Sequence, residues 1–318
     1  MIGTLQSLRF IFVMMIFMSH FDYRDIRWFD AGGDCGVAFF FILSGFVCSL
    51  GYGQRIREGA FRYGDFLWKR LKKLYPLHLL CLLFFLLVSR ADLDLKVLAN
   101  ALLLQSWIPD PEWYFSCNKV SWFLSSLLFC YVAFPFVYRN LSRSITLAVL
   151  LAYVAVCWLV PYDQVNAILY VFPLVRFVDF YLGMLLCRFY ERKQGMDVRS
   201  WMEVLLIVLL FLVLTAYPFM DAKLRNAPLF WLVLLPLILV FSQESGVVSR
   251  LLKSRPMLFL GSLTMPLFLI HQMLIGILLH CLPEMPAMLM LAVCIFIILI
   301  ISWGVQIIFS KLIRLYDS

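Results

Sequence analysis

The sequence predicts an all-α, polytopic integral membrane bundle of about ten transmembrane helices with both termini cytoplasmic. Three observations predict the class. Apolar residues make up 64% of the chain and charged residues 14%, with a mean hydropathy of +0.92; a soluble domain carries about 25% charged residues. Apolar stretches recur from end to end, each near the ~20 residues that a helix needs to cross a bilayer. The period-2 alternation of a barrel is absent, and backbone groups in lipid are satisfied within helices.

Taken in order, the apolar stretches place spans at 3–21, 33–52, 74–89, 121–139, 143–161, 170–189, 200–219, 227–243, 257–281 and 287–310. The shorter stretch 97–109 reads as re-entrant or interfacial. With the N-terminus inside, 18 Lys and Arg fall in inner loops and the tail, 7 in outer loops, and Arg9 and Arg176 within spans, which accounts for all 27. That asymmetry sets the orientation. Trp28, Trp107, Trp113, Trp122 and Trp231 fall near span ends, as interfacial aromatics do. The net charge of +8 is spread over several short loops, so it reports topology and argues against a nucleic-acid partner. Most of the nine cysteines lie within apolar segments and read as small core hydrophobes; Cys35 and Cys117 are the pair that could meet near the outer face. No metal-ligand spacing occurs. The first segment is expected to be retained, and 1–318 to form a single membrane-embedded domain with no soluble C-terminal domain.

Arg9 and His20 stand out because both lie in the first span, eleven residues apart. That is about 20° past three full turns, so the two side chains share a face and are separated by about 16 Å along the axis. A guanidinium keeps its proton in lipid, at a cost of about 2.5–3.5 kcal/mol on insertion scales. Such a pair is expected to face a polar interior. His20 suits proton abstraction near neutral pH. Arg9 suits an anion or a developing oxyanion, or else a buried ion pair with Asp179.

Five further segments carry candidate chemistry. In GDCGVAFFFILSGF, Gly33, Gly36 and Gly45 allow close helix approach, and Ser44 can hydrogen-bond across helices. In WKRLKKLYPLH, Lys69, Arg70, Lys72 and Lys73 cluster where the third span begins, and Pro76 follows. Pro76 fits a first helical turn, and basic groups at a helix start suit a phosphate or anionic lipid. Ser121 and Trp122 open the fourth span without a nucleophile elbow, which favours a structural or substrate-lining role. Arg176 and Asp179 are three apart and share a helix face. His271 lies within its span, either catalytic or only hydrogen-bonded.

These pieces in this order resemble the membrane acyltransferase-3 family, the bacterial surface-polysaccharide O-acyltransferases, across almost the whole chain. The most specific mark is Leu8-Arg9 with His20 after ten intervening residues. Gly33, Gly36-Val37, Phe39-Phe40 and Ser44-Gly45-Phe46 follow, then Arg70, Lys73 and Pro76, with Lys73 where the pattern has Arg. Leu103 to Trp107, Pro173 to Gly183 and the His271 segment also match. Ala38 stands where many relatives carry Asp, and Leu127 where many carry Glu.

The resemblance implies transfer of an acyl group, usually acetyl, from acetyl-CoA to a hydroxyl of a cell-surface polysaccharide or lipid-linked sugar, at the bacterial inner membrane. It implies His20 as base, Arg9 on CoA or the oxyanion, and Arg70, Lys73, Lys69 and Lys72 on the CoA phosphates. Ser44, Ser121, Trp122, Arg176 and His271 are then expected to line the substrate path, with no metal. The residues by themselves also fit a transporter of a lipid-linked sugar or organic anion, although the inverted repeats of many transporters are not visible. A non-catalytic scaffold is a third class, supported only by Ala38 and Leu127. The acceptor, the acyl chain and the oligomeric state are not written in the sequence.

Overall fold

The computed structural model describes residues 2–23, 26–27, 29–193, 195–196, 198–226 and 228–317. Trp28 lies outside these residues. Helix α1 (Gly3–His20) leads through a short antiparallel pair, β1 (Asp22–Tyr23) and β2 (Ile26–Arg27), into α2 (Ala31–Arg57) and α3 (Tyr63–Ser89). Two short helices, α4 (Leu95–Ala101) and α5 (Pro111–Tyr114), lie in the segment before α6 (Trp122–Arg139) and α7 (Arg143–Leu159). A wide π-type turn at Asn166–Val171 precedes α8 (Pro173–Arg192), followed by α9 (Ser200–Ala216), α10 (Ala222–Arg225) and α11 (Pro228–Phe241). The chain continues through α12 (Val247–Leu252), α13 (Arg255–Ser262), α14 (Thr264–Cys281) and α15 (Ala287–Asp317).

Among the described residues, seven helical stretches are long and apolar enough to cross a membrane; α7 with the segment after it, bent by 118°, would make eight. Helices α1 and α8, expected as spans, are not among them. Their polar side chains, Arg9 and His20 in one and Arg176, Asp179 and Arg188 in the other, lower their apolarity. Arg176 and Asp179 are almost fully buried, and Arg9, His20 and Arg188 are half-buried, so protein as well as the surroundings meets these groups.

Helix α2 occupies the centre and packs on α1, α6 and α8. Its buried face runs from Ala31 to Ile56. It crosses α8 at two glycines: a Cβ on Gly45 would run into the Phe180 carbonyl, and one on Gly183 into the Ile42 carbonyl. Gly36 lets α1 approach, since a Cβ there would lie 2.9 Å from the Phe12 carbonyl. Overpacking ordinarily costs about 1–3 kcal/mol, and here the obstacle is backbone. Gly183→Ala is therefore expected to lower the melting temperature in detergent by several degrees or to prevent accumulation. Gly51→Ala, whose Cβ would meet nothing within 4 Å, should do neither. Equal melting of the two variants would remove the close crossing as a stability determinant.

The first helix is anchored by side chains far away in sequence. Glu244, at φ 56°, accepts the Gly3 and Thr4 N–H groups at 2.7 and 3.1 Å. Ser7 donates to the Leu252 carbonyl and Gln6 to that of Leu258. Glu203 is fully buried and accepts the Gly246, Val248 and Ser249 N–H groups and the Ser249 hydroxyl, a carboxylate set on orphan donors at the start of a helix. These contacts hold α1 at a defined height and rotation.

Several expected boundaries move. The third helix starts at Tyr63, not near 74, so Pro76 is inside it. The aromatic packing of Tyr52, Phe61 and Phe66 carries the helix outward past the apolar run. Lys69 to Lys73 are therefore helix-interior residues, and no helix N-terminus supplies an anion site there. The single span at 257–281 is two helices meeting at Leu263. Cys35 and Cys117 are both free, so no disulfide joins them.

Candidate active site

His20 ends α1, half-buried, facing α14. Its Nδ1 lies 3.0 Å from Nε2 of His271, which is fully buried. His271 Nδ1 in turn lies 2.8 Å from the Phe268 carbonyl and 3.2 Å from that of Leu267. Carbonyls only accept, so His271 Nδ1 carries the hydrogen. With both rings neutral, His271 Nε2 is an acceptor, His20 Nδ1–H donates to it, and His20 Nε2 keeps its lone pair. The arrangement sets the tautomer of His20 from behind, as ring orientation by a second hydrogen bond does elsewhere.

The His20 ring lines a cavity of about 700 Å³ between the ends of α3 and α14 and the loop 117–119. Tyr23 closes the neighbouring turn, its hydroxyl donating to the Pro283 and Met285 carbonyls at 2.6 and 2.7 Å. Burial pushes the Cys117 thiol in that loop up to about 11, which keeps it un-ionised at neutral pH and unsuited to nucleophilic attack.

About three turns below His20 on the same helix, Arg9 lies within electrostatic reach of Tyr131 and of Arg70. Arg70 sits among three rings, its guanidinium carbon 5.4–5.5 Å from the centroids of Tyr52, Phe66 and Tyr131. Its Nε is buried without a hydrogen-bond partner. Ser44 lies beside the Tyr131 hydroxyl. Among the described residues no carboxylate forms a salt bridge with Arg9 or Arg70. Two neighbouring guanidiniums without a counter-charge make a site that an anion would complete. Lys69 and Lys73 are exposed on α3, and Lys72 is half-buried beside them.

The structure brings some expected residues together and separates others. Asp179 pairs with Arg176 at 2.9 Å, not with Arg9, and both are almost fully buried. Arg176 also donates to the Leu169 and Asn226 carbonyls, and the Trp231 indole donates to Asp179 at 2.5 Å. Arg176 thus ties down the π-type turn and does not line the cavity at His20. Ser121 bridges Asn100 and Gln105 within a buried network, and Trp122 packs on Tyr170; neither lines that cavity. Ser44 belongs to the arginine end of α1, and His271 stands behind His20. The cavity is lined instead by Asn118, Lys119 and Gln272, which no local pattern distinguishes from ordinary polar residues. Leu127 is buried in the apolar core.

A family described as "Acyltransferase domain", acyltransferase-3, matches residues 2–307. The protein "Acyltransferase MdmB" of Streptomyces mycarofaciens is 33% identical over 121 residues, which cover 35% of this chain and 30% of that protein. The chain therefore spans under a third of the curated relative it matches. No solved structure matches. With the family match covering nearly the whole length, the Arg9–His20 helix and its surroundings identify the chain as a member of the membrane acyltransferase-3 family.

Proposed function

We propose that this protein is a multi-pass membrane O-acyltransferase. It moves an acyl group, acetyl in the first instance, from acyl-CoA to a hydroxyl of a cell-surface polysaccharide or lipid-linked sugar. The observation that carries this is the pairing of His20 with His271, which leaves His20 Nε2 as a base on an open cavity. Family membership supports the reaction class.

In this reading the thioester reaches the bundle from the Arg9–Arg70 end, with CoA phosphates held by Arg70, Arg9 and the neighbouring Lys69, Lys72 and Lys73. The acceptor arrives in the cavity at the other end of α1. His20 Nε2 removes the hydroxyl proton as the oxygen attacks the thioester carbonyl. The tetrahedral intermediate collapses with loss of the CoA thiolate, which takes up the proton, and an ester remains. His271 holds the ring, a task that an acid at the position of Leu127 has no part in here. In a bacterial inner membrane, with the termini on the cytoplasmic side that the Lys and Arg distribution favours, the Arg9–Arg70 end meets the cytoplasmic donor.

The test supplies wild-type membranes with radiolabelled acetyl-CoA and follows label into alkali-labile ester. Ester formation from acetyl-CoA with release of free CoA is the expected result. Uptake or efflux of a glycan with no CoA released would replace the enzyme by a transporter.

A further inference from the structure

The cavity at His20 has a composition that defines more than a place for a base. Its floor carries two polar side chains whose oxygens have no partner. Asn118 is almost fully buried, and its amide donates to the Leu269 carbonyl at 2.9 Å, which turns Oδ1 the other way; that oxygen is unsatisfied. Gln272 Oε1 is likewise buried and unsatisfied. Both residues line the cavity together with His20. A buried carbonyl oxygen left without a donor is costly, and here the two oxygens and His20 Nε2 all accept. The ligand that satisfies them presents several hydroxyl donors on one face.

The walls are different in kind. Phe84 and Val88 of α3 and Met273, Ile275 and Ile277 of α14 line the same cavity, whose surface is mostly apolar. Phe84 and Val88 continue an exposed apolar strip that includes Leu80, Leu83 and Leu87, so the cavity borders a run of apolar side chains on α3 suited to hydrocarbon. Gly276 also lines it, and a Cβ there would meet nothing within 4 Å. Lys119 is exposed at the rim, and no Asp or Glu is among the lining residues, a charge balance that suits an anionic link between sugar and chain.

We propose that Asn118, Gln272 and the α3–α14 groove form the acceptor subsite, and that the acceptor is a sugar carried on a hydrocarbon chain rather than a finished water-soluble glycan. The sugar hydroxyls donate to Asn118 Oδ1 and Gln272 Oε1 and bring the reacting oxygen to His20. The chain lies along Phe84, Val88 and Ile277 and leaves along that apolar run. The inference rests on the acyl-transfer reading above, narrows its two acceptor classes to the lipid-linked one and adds the residues that select it.

The experiment uses full-length protein in membranes of its own host, given radiolabelled acetyl-CoA, with His20→Ala as the blank. Ester label is divided between an organic extract, which takes lipid-linked sugars, and the water-soluble glycan. His20-dependent label should appear first in the organic extract. Gln272→Leu should lower it at least tenfold, and Gly276→Trp, which fills the groove from an open position, should abolish it, both at unchanged protein abundance. His20-dependent label that enters only the water-soluble glycan overturns the acceptor proposal and leaves acyl transfer standing. No His20-dependent label in either fraction overturns both. If Gly276→Trp does not accumulate, the order of labelling in the wild type still decides.

Discussion

Replacing His20 with alanine is expected to lower acyl transfer by about 10²–10⁴-fold, the range that a positioned general base supplies, while the protein still accumulates in the membrane. The side chain is half-buried at a helix end, so its removal leaves no large core void. His271 should behave differently from a packing residue, because what it offers is an acceptor 3.0 Å from His20 Nδ1. His271→Phe keeps a ring of similar size but lets His20 rotate and change tautomer; a loss of tens-fold in kcat is expected. His271→Gln returns an acceptor oxygen and should recover part of that loss. The double variant His20→Ala with His271→Phe should be no slower than His20→Ala alone, since groups that act as a unit are not additive. The rates, normalised to protein amount, decide the matter. Equal rates for the Phe and Gln variants would reduce His271 to packing, and a near-normal His20→Ala would remove the base.

Arg9→Ala is expected to raise KM for acetyl-CoA by about 10- to 100-fold, from the loss of a charge-assisted hydrogen bond worth about 1.5–3 kcal/mol. Arg9→Lys should keep part of the affinity as a point charge but lose the two-pronged geometry. The sign of the stability change separates ligand binding from structure. Arg9 and Arg70 repel one another, and no described carboxylate bridges to either. Removing one charge should therefore leave the ligand-free protein as stable as before, or more so, and should abolish the extra stability that added CoA confers through binding to the folded state. Melting curves in detergent with and without CoA report both effects. A destabilised ligand-free Arg9→Ala protein with unchanged KM would make Arg9 a structural residue.

Much of the helical architecture was legible because hydrocarbon length and helical period act locally. The cores of α2, α3, α6, α9, α11, α14 and α15 coincide with apolar runs, and Gly33, Gly36 and Gly45 occur where close approach is needed. The ends were less legible. Helix α3 extends eleven residues before the expected start because Phe66 packs against Tyr52, Phe61 and Phe134, contacts made with other segments. Arg176 shows what spacing alone leaves open, since its i,i+3 relation to Asp179 allows a pair but does not name its other partners. An intramembrane arginine reads as functional, yet this one is occupied by Asp179 and by carbonyls of Leu169 and Asn226, one of which lies 50 residues away.

Within the site, the spacing of Arg9 and His20 alone puts them on one face of one helix, because eleven residues at about 3.6 per turn leave no other arrangement. What each of them meets depends on how distant segments pack. The partner of His20 is His271, separated by 251 positions; Arg70 comes to Arg9 from α3; and Asn118 and Gln272 reach one cavity from a loop and from α14. A helical period orders neighbours along one segment. Which segments touch, and with which unsatisfied atoms facing one another, is set by how the helices pack.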